Sequence, residues 1–403
     1  MTSGISSSPS RISHWKVVLL AIFLLTVVVA ALELGVRLYL RESRGYDGEH
    51  LYQFVFDPYK NILPSPNYVD TRGIRHNSKG FRRSTEVSLA KPSGTYRIFL
   101  MGGSTAYGVG GLWPHIDDKY PVLKNSETID TYLEHALSSA LPGRTVEVIN
   151  AAITSTWTHH NLIYLNQTIL KYQPDMVLFL DGLNDYYHYD GAHDQFASYS
   201  YNLPSQVILG EPTLYSLAYA NGWWLFRKSA LAHMLARGAS NLSLLLSSRP
   251  ERQPIDVEQA VAAQQRNFSA NAFKMEERSG LILQNENVVP VFILQPMLIL
   301  ERDRKLTEVE RRLFEFNVTS YLPNYEAFIN RAVPYVRTRQ TEMAARVGGA
   351  FVDLTGIFKD VDGQIYTDYA HLTPEGNRLA ALHIAERILP LIRQRAAQPA
   401  LSR

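Results

Sequence analysis

Three short stretches of the chain carry side chains that could together perform nucleophilic chemistry. Ser104 follows two glycines, which let the backbone turn sharply and bring N–H groups close to a reacting oxygen. Asp368 and His371 are three residues apart, so in a turn the carboxylate could orient the imidazole as a general base. Asn184 offers an amide that could donate to a developing oxyanion. Alone, each has a plainer explanation: a tight turn, a surface pair or an Asx turn.

These side chains need a scaffold, and the apolar pattern predicts a parallel sheet covered by helices on both faces. Functional residues of such sheets gather at the carboxyl ends of the strands. Ser104 and Asn184 each follow a predicted strand, and the helix start signal Thr373-Pro374 puts Asp368 and His371 in the preceding loop. The predicted strands are 96–101, 145–152, 175–180, 288–295 and 350–354, with helices over 127–141 and 162–172.

The N-terminal part of the chain predicts a membrane helix. From Val17 to Leu32 every residue except Thr26 is apolar, and the run is long enough to cross a bilayer. A cleavable signal peptide is the alternative, because basic residues precede the run and Val29-Ala30-Ala31 suits cleavage. The predicted organisation is a tail over 1–16, a transmembrane anchor over 17–38, a stalk over 39–95 and a domain over 96–396, with insertions at 186–287 and 297–349.

Composition excludes several classes of function. The chain has no cysteine, so thiolate metal sites and cysteine nucleophiles are excluded. Its 40 basic and 38 acidic residues nearly balance, which disfavours nucleic acid as a partner. A solvated loop or a glycan-contacting rim is a better interpretation than a metal site for His188, Asp190, His193 and Asp194, which lie among tyrosines. We expect no metal and no cofactor.

Together the motifs resemble the SGNH hydrolase superfamily, also called GDSL esterases and lipases, over about residues 75 to 395. Phe99–Thr105 is similar to its nucleophile block, Gly182–Asp185 to its Gly-x-Asn-Asp block, and Asp368–His371 to its Asp-x-x-His block. Asn150–Ile153 is similar to the remaining block, with Ala152 where glycine is usual. An α/β-hydrolase would place its nucleophile after several strands and its Asp and His far apart, so it is disfavoured.

The resemblance implies a three-layer α/β/α sandwich with a flavodoxin-like five-stranded sheet. It also implies a catalytic triad of Ser104, Asp368 and His371. The oxyanion hole would be formed by the N–H groups of Ser104 and Ala152 and by the Asn184 amide. The supporting residues would be Gly103, Gly182 and Asp185, and the candidate substrate contacts are Tyr107, Trp157, Tyr186 and Gln295.

The function that we expect is a serine esterase acting on O-acyl esters, such as O-acetyl groups of a cell-envelope glycan or glycolipid. Resemblance to membrane-anchored bacterial members implies a single-pass protein with an extracytoplasmic domain, although the basic residues flanking the apolar run slightly favour the opposite orientation. No protein partner is indicated. Two alternatives stay open: an O-acyltransferase using the same triad, and a non-catalytic glycan-binding or assembly protein on a hydrolase scaffold.

Overall fold

The computed structural model describes residues 14–44, 53–57, 61–70, 72–186, 229–232, 234, 235, 238, 254–301, 303–321 and 324–397. Within them, a five-stranded parallel sheet lies between two layers of helices, which confirms the predicted fold. A hairpin of two antiparallel strands precedes the sheet, formed by β1 (Phe54–Asp57) and β2 (Asn61–Pro64).

The strand order across the central sheet is flavodoxin-like. The second strand of the sheet lies at one edge, and the chain then crosses to the other side of the first strand and adds three more in sequence. The five predicted strands are all present, with ends shifted by no more than two residues. They are β3 (Thr95–Gly102), β4 (Thr145–Asn150), β5 (Met176–Asp181), β6 (Val289–Leu294) and β7 (Ala350–Asp353), in the order β4-β3-β5-β6-β7.

The sheet has an apolar core on each face because its strands are apolar at nearly every position. In β3, Ile98 and Leu100 pack into one core while Phe99 and Met101 pack into the other, as the two-residue period of a strand requires. The helices of the described residues are α1 (His14–Arg44), α2 (Ser104–Tyr107), α3 (Ile129–Ala140), α4 (Thr158–Gln167), α5 (Leu183–Tyr186), α6 (Val257–Asn267), α7 (Phe273–Asn285), α8 (Glu308–Phe316), α9 (Tyr325–Arg346) and α10 (Pro374–Ala397).

Helices α3 and α10 form one outer layer, and α4, α6, α7 and α9 form the other. The start of α10 follows the predicted signal: Pro374 occupies its first position, and the Thr373 hydroxyl accepts a hydrogen bond from the Gly376 N–H at 3.1 Å. This start places the end of the preceding loop, which carries Asp368 and His371, at the carboxyl edge of the sheet.

The two predicted insertions contain helices that complete the sandwich. Helix α7 packs against α4 and β6, and α9 packs against β6 and β7. Parallel neighbouring strands need such crossover helices, so these parts belong to the basic fold. The candidate metal-binding residues His188, Asp190, His193 and Asp194 lie outside the described residues.

The segment predicted as a stalk over 39–95 begins in α1, which extends to Arg44, and parts of it after α1 pack into the globular body. Phe81 packs with Phe99 and Tyr172 in the core, and the buried guanidinium of Arg82 donates to carbonyls of residues 107, 108 and 123. After the hairpin of β1 and β2, the segment packs through turns and single side chains, so its sequence shows no sustained period.

Helix α1 is apolar and long enough, over His14–Glu42, to cross a membrane by length and composition; a signal sequence near the N-terminus would pass the same test. Near its C-terminal end, Glu33 pairs with Arg37 and accepts hydrogen bonds from the backbone N–H groups of Ala230 and Leu231, both at 2.9 Å. Residues 229–232 thus contact this helix.

Candidate active site

Two glycines place Ser104 at the carboxyl end of β3. Gly102 has a φ of 139°, and a Cβ there would lie 2.1 Å from the carbonyl oxygen of Leu180. A Cβ on Gly103 would lie 2.9 Å from the amide nitrogen of Asn184. Glycine is therefore required at Gly102 for the ends of β3 and β5 to approach each other closely, and the missing side chain at Gly103 leaves room for the Asn184 amide. Ser104 then begins α2, next to Asn184.

A continuous chain of hydrogen bonds joins Ser104, His371 and Asp368. Nε2 of His371 is 2.7 Å from Oγ of Ser104, and Nδ1 of His371 is 2.7 Å from Oδ2 of Asp368. The carboxylate can only accept, so Nδ1 carries a proton and Nε2 is the acceptor for the Ser104 hydroxyl. Residues 267 positions apart along the chain thus meet in the arrangement of a nucleophile, a base and an orienting carboxylate.

Asp368 is fully buried but surrounded by donors. Besides the imidazole, it accepts from the N–H groups of Ala370 at 2.8 Å, His371 at 2.9 Å and Leu112 at 3.0 Å. Burial alone would raise the pKa of Asp368, but His371 and the backbone donors outweigh it and hold the pKa below its usual value. The carboxylate is therefore ionised at neutral pH and can stabilise an imidazolium.

The side chain of Asn184 lies beside the nucleophile. Its amide donates one hydrogen bond to the carbonyl oxygen of Thr156 at 2.9 Å, which fixes the orientation of the group. The amide nitrogen carries a second N–H, and the close approach to Gly103 puts this nitrogen next to the backbone of Ser104. This position suits a donor to an oxygen bound at the serine.

Ala152 is not brought to the site. Its N–H donates to the side-chain oxygen of Asn150 at 3.2 Å, and the residue is buried. The predicted oxyanion role for Ala152 therefore does not fit the structure. The same loop instead presents Thr154 and Ser155 to the site, and Ser155 has a φ of 55°, which is unusual for serine. Nothing in the amino-acid type of Ser155 signalled this conformation.

A cavity of about 400 Å³ opens above the nucleophile. Ser104, Asn184 and His371 line it together with Tyr107, one of the predicted substrate contacts. Trp157 and Gln295 are buried and do not line the cavity. Gln295 instead packs against Gly182, where an added Cβ would lie 2.7 Å from the Cβ of Gln295. Tyr186 ends α5, and its side chain lies outside what the structure describes.

Asp185 lies behind the cavity and does not contact the serine or the histidine. It accepts hydrogen bonds from the N–H and hydroxyl of Thr158, at 2.9 and 3.0 Å. Burial raises the pKa of Asp185 to about 7, against the opposing effect of those bonds. Burial, and then the charge of Asp185, raise the pKa of Asp181 well above its usual value. These two carboxyls form a buried pair that joins β5 to α4.

Arg82 and Asn150 hold α2 in place, a role that no sequence pattern predicted. Arg82 donates to the carbonyls of Tyr107 and Gly108, both at 2.7 Å, and its guanidinium lies 4.6 Å from the centre of the Tyr107 ring. The Asn150 amide donates to the carbonyl of Ala106 at 3.1 Å. No pattern in the sequence showed what Arg82 contacts.

Comparison with protein families finds one match, to the family described as GDSL-like Lipase/Acylhydrolase, over residues 100–379. This range includes Ser104, Asn184, Asp368 and His371. None of the curated proteins matches the chain.

Several solved structures are distantly similar. A lipase/acylhydrolase from Enterococcus faecalis is 16% identical with a TM-score of 0.37, covering 73% of this chain and 96% of its own. An extracellular lipase from Streptomyces rimosus is 12% identical with a TM-score of 0.37, at 72% and 99% coverage. An acetylxylan esterase from Geobacillus stearothermophilus is 12% identical with a TM-score of 0.35, at 73% and 94% coverage. At these values, the likeness does not indicate a substrate.

Proposed function

The chain belongs to the GDSL-like lipase/acylhydrolase family and is a serine esterase; from this premise we propose that Ser104, His371 and Asp368 are its catalytic triad. The observation that carries the proposal is the chain of two 2.7 Å hydrogen bonds from the Ser104 hydroxyl through the imidazole to the Asp368 carboxylate. This geometry lets one proton move from the serine as its oxygen attacks an ester carbonyl.

In the first half of the reaction, Nε2 of His371 takes the proton from Ser104, and the serine oxygen forms a bond to the carbonyl carbon. The imidazolium then gives this proton to the alcohol oxygen as the ester C–O bond breaks. In the second half, His371 takes a proton from water as the water oxygen forms a bond to the acyl carbon, and the imidazolium gives that proton back to Oγ of Ser104 as the bond from Oγ to the acyl carbon breaks. Asp368 stays ionised throughout and holds the imidazole in the required tautomer.

The negative charge that develops on the carbonyl oxygen needs donors aimed at it. We assign this role to the N–H of Ser104 and to the second N–H of the Asn184 amide. The bond from Asn184 to the Thr156 carbonyl supports the assignment, because it fixes the amide before the substrate binds.

For the natural substrate, we propose O-acyl esters of a cell-envelope glycan or glycolipid, with the catalytic domain outside the cytoplasm and α1 as its anchor. The apolar length of α1 supports the anchor, and the cavity of about 400 Å³ at Ser104 has room for an acyl group.

Hydrolysis of p-nitrophenyl esters by the full chain in detergent tests the proposal. We expect Ser104→Ala to lower kcat on the order of 10⁶-fold. Circular dichroism of the variant should match that of the parent. Full activity in a folded Ser104→Ala protein would exclude the serine as nucleophile. Measuring free acid and acylated sugar in the presence of a glycan acceptor separates hydrolysis from acyl transfer.

A further inference from the structure

The lining of the cavity above Ser104 combines polar and apolar side chains. The polar ones include the reacting groups together with Thr154 and Ser155. Among the described residues that line the cavity, none carries a carboxylate, an ammonium or a guanidinium group. The apolar part of the lining includes Phe54, Ile74, Val109, Leu112, Val122 and Leu123.

Some of the apolar lining comes from the segment before the central sheet, and side-chain contacts hold that segment against α2. The Phe54 ring lies 5.3 Å from the Tyr107 ring, centre to centre. The Tyr107 hydroxyl accepts from the Gln53 amide at 2.6 Å and donates to Nε2 of His76 at 2.7 Å. Burial, with a contribution from the charge of Arg82, lowers the pKa of His76 to about 3, so the ring is neutral and can accept.

The residues next to Ile74 are fixed by a second set of contacts. The Asn125 side chain donates to the carbonyl of Arg75 at 2.8 Å and accepts from its N–H at 3.2 Å, and the Asn125 N–H donates to the Gly73 carbonyl at 3.1 Å. Ile74 is therefore held facing the cavity by bonds on both sides of it. Phe54 and Ile74 together form what we call the N-terminal wall.

We propose that the N-terminal wall binds the acyl chain of the substrate and that the enzyme prefers acyl chains longer than acetyl. This inference rests on the proposed function, because the chain must be attached to the carbonyl that Ser104 attacks. A two-carbon acetyl group would occupy little of a cavity of about 400 Å³ and would leave this apolar surface wet. A longer chain removes the same surface from water. Each buried methylene contributes about 0.8 kcal/mol, or roughly fourfold in kcat/KM.

The experiment compares p-nitrophenyl acetate, butanoate, hexanoate and octanoate as substrates of the full chain in detergent. We expect kcat/KM to rise along the series, on the order of 10² from acetate to hexanoate. Ile74→Phe shortens the cavity, and Phe54→Ala removes a contact with the chain. Each should lower the octanoate-to-acetate ratio of kcat/KM by about tenfold or more. For each variant, kcat/KM for octanoate and for acetate is measured on one preparation, so a partial loss of folded protein cancels in the ratio.

Ile62→Ala is the matched control. Ile62 is a half-buried apolar residue of the β1–β2 hairpin, which also carries Phe54, but it packs against the core that contains Phe99 and does not line the cavity. The variant should keep the parent's ratio. A preference for acetate in the parent, or equal ratios in Ile74→Phe, Phe54→Ala and Ile62→Ala, would overturn the inference while leaving the esterase intact. Absence of hydrolysis at every chain length would instead overturn the proposed function.

Discussion

Two buried aspartates near the carboxyl edge of the sheet, Asp368 and Asp185, have opposite electrostatic environments. Asp368 accepts from three backbone N–H groups and from an imidazole, and its pKa is lowered. Asp185 accepts only from Thr158 among the contacts described, lies close to the Asp181 carboxyl, and has a raised pKa. Both side chains are almost completely removed from water.

The opposite pKa shifts of these two carboxyls indicate that burial does not by itself make a carboxylate useful for catalysis. Transfer out of water favours the protonated form of any carboxyl, and only charge-compensating donors reverse that preference. The loop before α10 supplies such donors, because its turn aims two N–H groups at Oδ1 of Asp368. The region around Asp185 lacks an equivalent set among the described residues, and there the carboxyl links structural elements.

The sharpest test of this comparison exchanges each carboxylate for an amide. Asp368→Asn removes the acceptor that holds the His371 tautomer, so we expect kcat to fall about 10⁴-fold. Asp185→Asn leaves the serine and the histidine untouched, so kcat should fall less than about tenfold. Steady-state kinetics on one p-nitrophenyl ester measures both. Losses of similar size in the two variants would contradict the division of roles.

A second test concerns Asn184, which precedes Asp185 in the same helical turn. We expect Asn184→Ala to lower kcat by about 10²–10³ with a small change in KM, since the amide acts on the oxyanion more than on the bound ester. Asn184→Asp should lose at least as much, because a carboxylate repels the developing charge. Unchanged kcat in both variants would remove Asn184 from the oxyanion hole.

The smallest expected effect is on stability. Because the pKa values of Asp181 and Asp185 are raised on folding, the folded protein retains protons that the unfolded chain releases above about pH 4. The pair therefore contributes a decrease in the free energy of unfolding as the pH rises from about 4 to 7, opposite in sign to the contribution of His76, His159 and His160, whose pKa values are lowered by burial. Asp181→Asn removes one member of the pair, so its free energy of unfolding should fall less, or rise more, over this range than that of the parent.

Thermal unfolding of the detergent-solubilised full chain between pH 5 and pH 8 measures how stability changes with pH in the parent and in Asp181→Asn. The exposed Asp360→Asn serves as the control and should keep the parent's profile. An Asp181→Asn protein whose melting temperature changes with pH in the same way as the parent's would show that the buried pair is not protonated as described.

Local patterns were sufficient to predict the sheet, while several features of the site depend on distant contacts. The five strands are apolar runs bounded by turns, and Ser104, Asn184, Asp368 and His371 each lie in a short recognisable motif. By contrast, the bond from the Leu112 N–H to Asp368 joins residues 256 positions apart, and no local pattern reports it.

The features that sequence patterns did not predict also depend on side-chain conformation and distant contacts. Whether the Ala152 N–H remains available depends on the rotamer of Asn150, which a sequence does not specify. The packing of Phe54, Ile74 and Arg82 depends on single side chains between turns, so the segment showed no period and was interpreted as a stalk.

Covalent labelling with a fluorophosphonate, followed by peptide mass mapping, tests the central claim most directly. If Ser104 is the nucleophile activated by His371, the phosphonyl group will be found on Ser104 in the parent and in Asp185→Asn, and labelling of His371→Ala will be slower by orders of magnitude. A label on a different residue, or an unlabelled protein that still hydrolyses esters, would contradict the account.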